Sequence, residues 1–400
     1  MQQLRSEVEE DSAIPPLLSD GGNDIEDYNA ELDSLRPVSW HNSPWMYTEC
    51  YLFRRLRTCF SRRELNIWKE YDIWAEQKHE SLTSSGSVVL ELVEWFFGVD
   101  SPLSESKTCT EDSVRGWRTV LEDLLQISLW GNTADLLSLL ATSPEELRSR
   151  QGAQARERLK SNVVVDDTGQ VIDLLDRIRT RTRVQSEIHV VLDNAGFELI
   201  SDLVLVTYLL RANFTEKVVL HGKAFPWYIS DATRGDFELA FSVLSNFEGR
   251  LEGQDDLSGS RPLSVFASII KSHLNSDPPR LVFTTDPFWT TAHPFARLPA
   301  CAPELCASLQ KADLVIFKGD LNYRKLIAGG RWPPDTSFEA AIGPLAHMNL
   351  RILALRTCKG DACVGLQKDH ADQIDPKGNG EWTRNGQYGV ISFSDGKTRE

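Results

Sequence analysis

The order of apolar and polar positions changes character near residue 183. Before this point aromatic and aliphatic residues recur at helical spacing, for example in residues 47–60 and 86–97. After it, short β-branched runs alternate with amphipathic stretches, which predicts a parallel sheet with crossover helices. We therefore expect an α/β protein in which a helical N-terminal domain precedes a Rossmann-like, three-layer α/β/α domain with a mainly parallel sheet.

These patterns divide the chain into three parts: an acidic N-terminal arm at 1–36, a helical domain at 37–183 and the α/β domain at 184–400. The arm is rich in Asp, Glu, Ser and Gly, so its first ~20 residues are expected to be frayed or to wrap the surface. The predicted strands are 188–192, 217–222, 280–284, 313–317, 350–355 and 388–393. The main predicted helices of the second and third parts are 114–129, 134–140, 171–178, 197–211, 236–246, 263–274, 303–311 and 322–326.

Composition and charge narrow the class of protein. The 400 residues are 41% hydrophobic and 25% charged, as in ordinary globular proteins. A net charge of -15 argues against general affinity for nucleic acid or anionic membranes, but it still allows a local basic pocket for one small anion. No apolar run approaches the ~20 residues of a membrane span, and no signal pattern is seen. We expect a soluble cytoplasmic protein, with the nucleus as a further location; oligomeric state is not indicated.

The seven cysteines do not resemble a secreted disulfide framework. Cys301 and Cys306, and likewise Cys358 and Cys363, are separated by four residues. Such pairs suggest zinc only where further Cys or His residues cluster nearby, and buried free thiols are the commoner state. Free thiols are therefore expected.

Polar residues collect directly after several predicted strands. Asp193 and Asn194 follow the first, Asp231 comes shortly after the second, the segment 318–324 follows the fourth and Lys359 the fifth. In a parallel, right-handed arrangement the carboxyl ends of the strands lie at one edge of the sheet. Side chains far apart in sequence are therefore predicted to share one cleft.

This edge carries carboxylates and an amide on one side and bases on the other. Oxygen ligands from Asp193, Asn194 and Asp231 suit a hard divalent cation. Lys318, Arg324 and Lys359 suit a phosphate. The bases near 318–325 lie at a predicted helix start, where they oppose the helix dipole. This mismatch favours an anionic ligand. A metal beside an anion clamp is suited to phosphoryl-group hydrolysis.

Each residue also has a structural interpretation. An Asp after a strand is often a turn residue or helix cap. Glu198 and Asp202 share a helix face, and a solvated face is favoured over metal contact, leaving Glu198 at most a supporting role. The chain lacks Gly-x-Gly-x-x-Gly, the P-loop and Gly-x-Ser-x-Gly, which argues against dinucleotide oxidoreductases, P-loop nucleotidases and serine hydrolases.

Six motifs follow one another along the chain: SWHNSPWMYTECY (39–51), LWGN (129–132), LDNAGFE (192–198), FPWYISD (225–231), FKGDLNYR (317–324) and RTCK (356–359). With these motifs the chain, from about residue 39 to its end, resembles the metal-dependent damage-control phosphatases. Within that family it is similar to the eukaryotic subgroup described both as sugar-phosphate phosphatases and as protein-glutamate O-methyltransferases.

The resemblance implies that Asp193, Asn194 and Asp231 bind a catalytic metal, typically Mn²⁺, Co²⁺ or Ni²⁺, with Mg²⁺ as another candidate. The substrate contacts it implies are Asp193, Asn194, Asp320, Leu321, Asn322, Tyr323, Arg324 and Lys359, to which the residue pattern adds Lys318. It further implies hydrolysis of small phosphorylated metabolites such as fructose 1-phosphate and fructose 6-phosphate.

Two other functions stay open at this point. One is an S-adenosylmethionine-dependent protein-glutamate carboxyl O-methyltransferase. A nucleoside cofactor commonly uses a glycine-rich first turn, whereas the turn after the first strand offers only Gly196 among acids and amides, which favours a metal. The other is a non-catalytic binding scaffold.

Overall fold

The fold is built on one mixed sheet, seen in a computed structural model that describes residues 2–61, 71–105, 111–131, 159–181, 185–246, 261–367, 369–375 and 378–396. Its strands are β1 (Val163–Asp166), β2 (Glu187–Val191), β3 (Lys217–Gly222), β4 (Leu281–Thr285), β5 (Leu314–Lys318), β6 (Ile352–Thr357) and β7 (Gly389–Ser394). They are ordered β1-β7-β6-β5-β2-β3-β4. Neighbours are parallel except β6 and β7, so β1 and β7 run opposite to the other five.

The six predicted strands are confirmed, each shifted by two residues or fewer. β1 was missed, because it lies in the part predicted to be almost entirely helical and its four residues are too few to show an alternating pattern. It pairs with β7, more than two hundred residues later in the chain. The sheet therefore begins before the predicted domain boundary at residue 183.

The helices are α1 (Gln2–Glu9), α2 (Ile25–Leu35), α3 (Trp45–Ser61), α4 (Ala75–Ser84), α5 (Gly86–Glu105), α6 (Glu111–Trp130), α7 (Thr168–Thr180), α8 (Phe197–Arg211), α9 (Arg234–Asn246), α10 (Arg261–Leu274), α11 (Leu298–Cys301), α12 (Pro303–Leu309), α13 (Gly319–Leu326), α14 (Phe338–Ile342) and α15 (His370–Ile374). Single turns of 3₁₀ helix lie at Pro287–Thr290, Phe295–Arg297, Gly343–His347 and Glu381–Thr383. The predicted helix 134–140 lies outside the described residues.

The sheet is covered on both faces. On one face Val190, Leu220 and Ile316 belong to the same apolar cluster as residues of α5 to α10. On the other face Val191 and Phe317 pack with residues of the shorter helices that follow β4 and β5. This is the predicted three-layer α/β/α architecture.

Helix α8 joins the predicted helical domain to the sheet. It is apolar on nearly all sides, and every residue from Phe197 to Leu210 is buried. Leu92 and Phe96 of α5 and Leu121 of α6 lie in the same core as the α8 and sheet residues. Helices α5 and α6 therefore share the core of the α/β part.

The N-terminal arm wraps the body of the protein. Tyr28 and Leu32 of α2 are buried, and the Tyr28 hydroxyl donates to the carbonyl of Thr290 at 2.9 Å. Arg54 of α3 pairs with Asp20 at 2.8 Å and with Asp24 at 2.6 Å. Of the two expectations for this segment, wrapping describes it and fraying does not.

No described helix is long and apolar enough to cross a membrane alone. Helix α4 and the first part of α5 reach the length and apolar composition of a span only when taken together, and they are bent by 58° relative to each other. In this structure Leu92, Val93 and Phe96 of α5 lie in the core.

Candidate active site

The backbone brings the three predicted metal ligands together at the carboxyl end of the sheet. After β2 ends, Asn194 forms an isolated antiparallel bridge with Asp231 of the loop that follows β3. The amide of Ala232 donates to the carbonyl of Asp193 at 2.9 Å. Asp193, Asn194 and Asp231 therefore occupy adjacent backbone positions, as the strand order predicts.

The side chain of Asn194 is held from both ends. Its Nδ2 donates to Oδ2 of Asp193 and to Oε2 of Glu198, each at 2.7 Å. Its Oδ1 accepts from the hydroxyl of Ser230. Because carboxylates only accept, the amide nitrogen must face the two acids, which leaves the oxygen on the side of Ser230.

Asp231 is 2% exposed, and its Oδ2 accepts from the amide of Tyr228 at 2.8 Å. Lys78 of α4 donates to the Asp231 carbonyl at 3.2 Å and pairs with Asp72 and Asp236, each at 2.6 Å. The loop carrying Asp231 is thus anchored by a lysine of the N-terminal half. This lysine belongs to none of the sequence motifs and was not predicted.

A second buried lysine lies beneath the acids. Lys223 is 1% exposed, and its Nζ donates to the carbonyl of Leu192 at 2.8 Å. Its charge lowers the pKa values of both Asp193 and Asp231. It too was missed by the sequence analysis.

Burial and neighbouring negative charges disfavour the ionised forms of Asp193 and Asp231. Burial raises the pKa of Asp193 to about 8, the charges of Glu198 and Asp231 act in the same direction, and Lys223 and Lys359 oppose them. Burial also raises the pKa of Asp231. A cation would relieve this repulsion, and the carboxylate and amide oxygens are ligands that hard divalent cations accept. The donor chemistry therefore fits the predicted metal.

The described part of the chain contains no three His, Cys, Asp or Glu side chains placed to hold a metal ion, so the predicted set depends on the Asn194 amide. The cysteines within the described ranges add no alternative centre. Cys306, Cys358 and Cys363 are buried free thiols and Cys301 is an exposed one, as expected.

Lys318 is buried and paired within the protein, and its predicted contact to a substrate stays a prediction. It is 1% exposed, and its Nζ contacts Asp202 at 2.8 Å, Glu198 at 3.3 Å and the hydroxyl and carbonyl oxygens of Ser128. These acceptors occupy its three donors. Lys318 thus balances two buried acids and caps the end of α6.

Glu198 and Asp202 do not form a solvated face, contrary to expectation. They are 5% and 1% exposed, because α8 is enclosed on all sides. The four-residue spacing was recognised, but it places both acids against Lys318. The supporting role predicted for Glu198 agrees with its contact to Asn194.

Helix α13 begins at Gly319, three residues before its predicted start. Asp320 therefore lies in its first turn, and Arg324 and Lys325 lie in its last, where the helix dipole favours each charge. The inferred mismatch therefore does not exist for Arg324 and Lys325, and Lys318 at the N-cap is already paired with Glu198 and Asp202. The helix dipole gives no support for an anionic ligand.

Asp320 and Arg324 form a charged cluster at the same edge. Burial alone would raise the pKa of Asp320, but Arg356 and Arg324 outweigh it and hold that pKa below its usual value. Arg324 pairs with Asp320 at 2.6 Å and donates to Glu49 at 2.9 Å. Its guanidinium lies 4.3 Å from the ring centroid of Trp45. The first motif thus contributes α3 side chains that orient Arg324, a role the sequence analysis did not assign.

The side chains of Leu321, Asn322 and Tyr323 make contacts within the protein, and their assignment as substrate contacts stays a prediction. Leu321 packs in the apolar cluster formed by the N-terminal arm. Asn322 donates to the Lys318 carbonyl at 2.8 Å, and the Tyr323 hydroxyl accepts from the amide of Val364 at 3.1 Å. All three are buried.

Lys359 is exposed, and its charge lowers the pKa of Asp193. Its backbone amide donates to Oδ1 of Asp320 at 3.1 Å. The fully buried Arg356 holds the following loop through the carbonyls of Gly360, at 2.8 Å, and Ala362. This signature motif therefore presents one base to the cleft and uses the other as a clamp.

The amino-acid sequence is similar to known proteins over most of its length. The family model of the damage-control phosphatase ARMT1-like domain matches residues 1–374. Relatives described as damage-control phosphatase ARMT1 include those of Xenopus tropicalis, 31% identical, and Rattus norvegicus, 30% identical, each aligned over 98% of this chain and 85% of the relative. The human relative is 28% identical over the same shares.

Among solved structures, a DUF89 family protein from Pyrococcus horikoshii is similar with a TM-score of 0.45 and 14% identity, over 98% of this chain and 95% of that one. The family match over most of the chain carries the assignment. The chain belongs to the damage-control phosphatase ARMT1-like domain family, and this membership supports a phosphatase role in metabolite repair.

Proposed function

We propose that the protein is a metal-dependent phosphatase that hydrolyses small phosphorylated metabolites. The observation that carries the proposal is the meeting of Asp193, Asn194 and Asp231 at one strand edge, beside Arg324 and Lys359. The family resemblance adds the substrate class, sugar phosphates such as fructose 1-phosphate and fructose 6-phosphate.

The metal side of the site consists of Asp193, Asn194 and Asp231, which would hold Mn²⁺, Co²⁺, Ni²⁺ or Mg²⁺. Such a cation, when bound, polarises a phosphoryl oxygen and lowers the pKa of water. Lys78 and Lys223 support the two strand ends that carry these residues, through contacts to backbone carbonyls. The protein thereby fixes the ligand positions before a substrate arrives.

The anion side consists of Arg324 and Lys359. Nη1 of Arg324 donates to Glu49, and Oδ2 of Asp320 lies 2.6 Å from its Nε, so the two acids hold the guanidinium in place. Lys359, exposed at the mouth, adds a second positive charge. Together they neutralise the phosphate as negative charge develops on its oxygens.

Two chemical routes fit this arrangement. Water can attack the phosphorus atom directly and displace the sugar alcohol, or the Asp193 carboxylate can displace the sugar alcohol first, after which water hydrolyses the acyl phosphate and releases phosphate. Rapid chemical quench with a ³²P-labelled sugar phosphate separates them, because only the second route leaves label on the protein. Loss of that label in Asp193→Asn would locate it.

The test of the proposed function is a phosphate-release screen of purified protein across phosphorylated metabolites and divalent metals. We expect release from sugar phosphates with Mn²⁺, Co²⁺ or Ni²⁺, and loss of release in Asp193→Ala. Failure of the wild-type protein to release phosphate from any compound would overturn the proposal.

The methyltransferase alternative is tested in parallel by calorimetry with S-adenosylmethionine, with and without Mn²⁺. The acid-rich turn after β2 predicts no tight binding. Tight, metal-independent binding would instead favour the alternative.

A further inference from the structure

A buried chain of charged and polar groups runs from the core to the proposed metal site. Lys318 of β5 contacts Asp202 at 2.8 Å and Glu198 at 3.3 Å. Oε2 of Glu198 then accepts from Nδ2 of Asn194 at 2.7 Å. All four side chains are at most 9% exposed. This series of contacts ends at Asn194. Of the three predicted metal ligands, Asn194 is the one whose side chain has only one terminal atom, its oxygen, that can bind a cation.

We infer that Glu198 is a positioning residue that holds the Nδ2 end of the Asn194 carboxamide, so that its oxygen is the end available to a cation, and that Lys318 keeps Glu198 in place for this task. The inference rests on the proposed function, because it concerns how one of the proposed metal ligands is oriented. It assigns Lys318 to the support of the metal side instead of the phosphate side.

The argument starts from the symmetry of an amide. Rotating the Asn194 carboxamide by half a turn exchanges its oxygen with an NH₂ group of nearly the same shape, and an NH₂ group cannot bind a cation. Ser230 does not decide between the two orientations, because a hydroxyl can donate to the oxygen or accept from the nitrogen. A carboxylate decides, because it only accepts.

Of the two carboxylates that face Nδ2, Asp193 is itself a proposed metal ligand, so its oxygens are shared with the cation. Glu198 lies behind Asn194 and contacts Lys318 on its other oxygen. It is therefore the acceptor that stays available to the amide when a metal binds. Supporting contacts of this kind commonly change metal affinity by 10–100-fold when removed.

Lys318 explains why Glu198 can be buried as an acceptor. The ammonium of Lys318 lies 3.3 Å from Oε1 and supplies the positive partner that a buried carboxylate requires. Asp202 shares the same lysine but has no contact with Asn194, which makes it a matched control.

The experiment measures Mn²⁺ affinity directly, from the electron paramagnetic resonance signal of free Mn²⁺, for the full chain and its variants. Glu198→Gln is expected to weaken Mn²⁺ binding by about 10–100-fold. Asp202→Asn, which alters the same helix and the same ion pair, is expected to stay within about threefold of the wild type. Thermal denaturation without metal reports the folding of each variant.

A rescue separates orientation from general damage. In the Glu198→Gln background, Asn194→Asp supplies a carboxylate whose two ends are equivalent, so its orientation no longer matters. The double variant is expected to bind Mn²⁺ more tightly than Glu198→Gln alone. Should Glu198→Gln fail to fold, Glu198→Asp retains the charge near Lys318 but is too short to reach Asn194, and it is expected to show the same loss.

The outcomes distinguish the inference from the proposed function. Wild-type Mn²⁺ affinity in folded Glu198→Gln, or an equal loss in Asp202→Asn, would overturn the inference and leave the phosphatase proposal standing. Failure of Asn194→Asp to improve binding in the Glu198→Gln background would also overturn it. Absence of Mn²⁺ binding by the wild-type protein would overturn both.

Discussion

The approach of Gly319 to Asp193 gives the sharpest prediction about the geometry of the site. Gly319 begins α13 with φ of +83°, and a Cβ atom added there would lie 2.7 Å from Cβ of Asp193 and closer still to its carboxylate. Carbon atoms pack at about 3.5–4.0 Å, so Gly319→Ala must displace the Asp193 side chain or the α13 backbone by about 1 Å. The left-handed conformation adds about 1–2 kcal/mol of strain.

We expect Gly319→Ala to reduce kcat/KM for a sugar phosphate with Mn²⁺ by about 100-fold, because a displacement of this size at a reacting group commonly costs that much. The matched control is Gly343→Ala, since Gly343 also has a positive φ, +56°, but an added Cβ meets nothing within 4 Å. Gly343→Ala should lose stability in thermal denaturation and retain kcat/KM. Wild-type kcat/KM in Gly319→Ala would refute the reasoning that Asp193 must stay where Gly319 permits it.

Three further predictions concern the support of the site and the core. Arg54→Ala leaves the buried carboxylate of Asp24 without its partner, so the free energy of unfolding in urea should fall by about 3–5 kcal/mol; a change under 1 kcal/mol would contradict this. Burial lowers the pKa of His221 to about 3 from its ordinary 6.5, so on acidification the unfolded chain binds the proton first. Unfolding free energy should therefore fall as pH drops from 6.5 toward 3, and urea denaturation of His221→Phe should show a shallower slope over that window; an unchanged slope would count against this assignment. Glu49→Gln removes a charged partner of Arg324, so steady-state kinetics should show KM for the sugar phosphate rising by about three- to tenfold with a smaller change in kcat.

Six of the seven strands were predictable because they read as short apolar runs, most of them buried on both faces. β5 (Leu314–Lys318) and β6 (Ile352–Thr357) are buried at every position. β1 was not predictable, since its four residues become a strand through pairing with β7, a contact remote in sequence. The same limit explains the early start of α13. There Gly319 adopts a positive φ that a search for apolar periodicity does not detect.

At the site, the meeting of Asp193, Asn194 and Asp231 was predictable because the carboxyl ends of parallel strands lie at one edge of a sheet. The role of Lys318 was not, because its partners Glu198 and Asp202 appear solvated until α8 is known to be enclosed. A residue's charge is visible in the sequence, whereas the charge that compensates it depends on tertiary packing.

The two lysines that anchor the strand ends could not be predicted from the sequence either. Lys78 and Lys223 donate hydrogen bonds to backbone carbonyls. Every residue has such a carbonyl, so the sequence does not show which one a lysine contacts. Only the packed structure identifies them as supports of the site.

The most direct test of the central claim is the rate of phosphate release from fructose 1-phosphate as a function of Mn²⁺ concentration, for the wild type and Asp231→Ala. The account predicts a saturable dependence on Mn²⁺ in the wild type, loss of release on chelation, and a rate at least about 100-fold lower in a folded Asp231→Ala protein. Phosphate release that persists without metal, or that Asp231→Ala leaves unchanged, would contradict it.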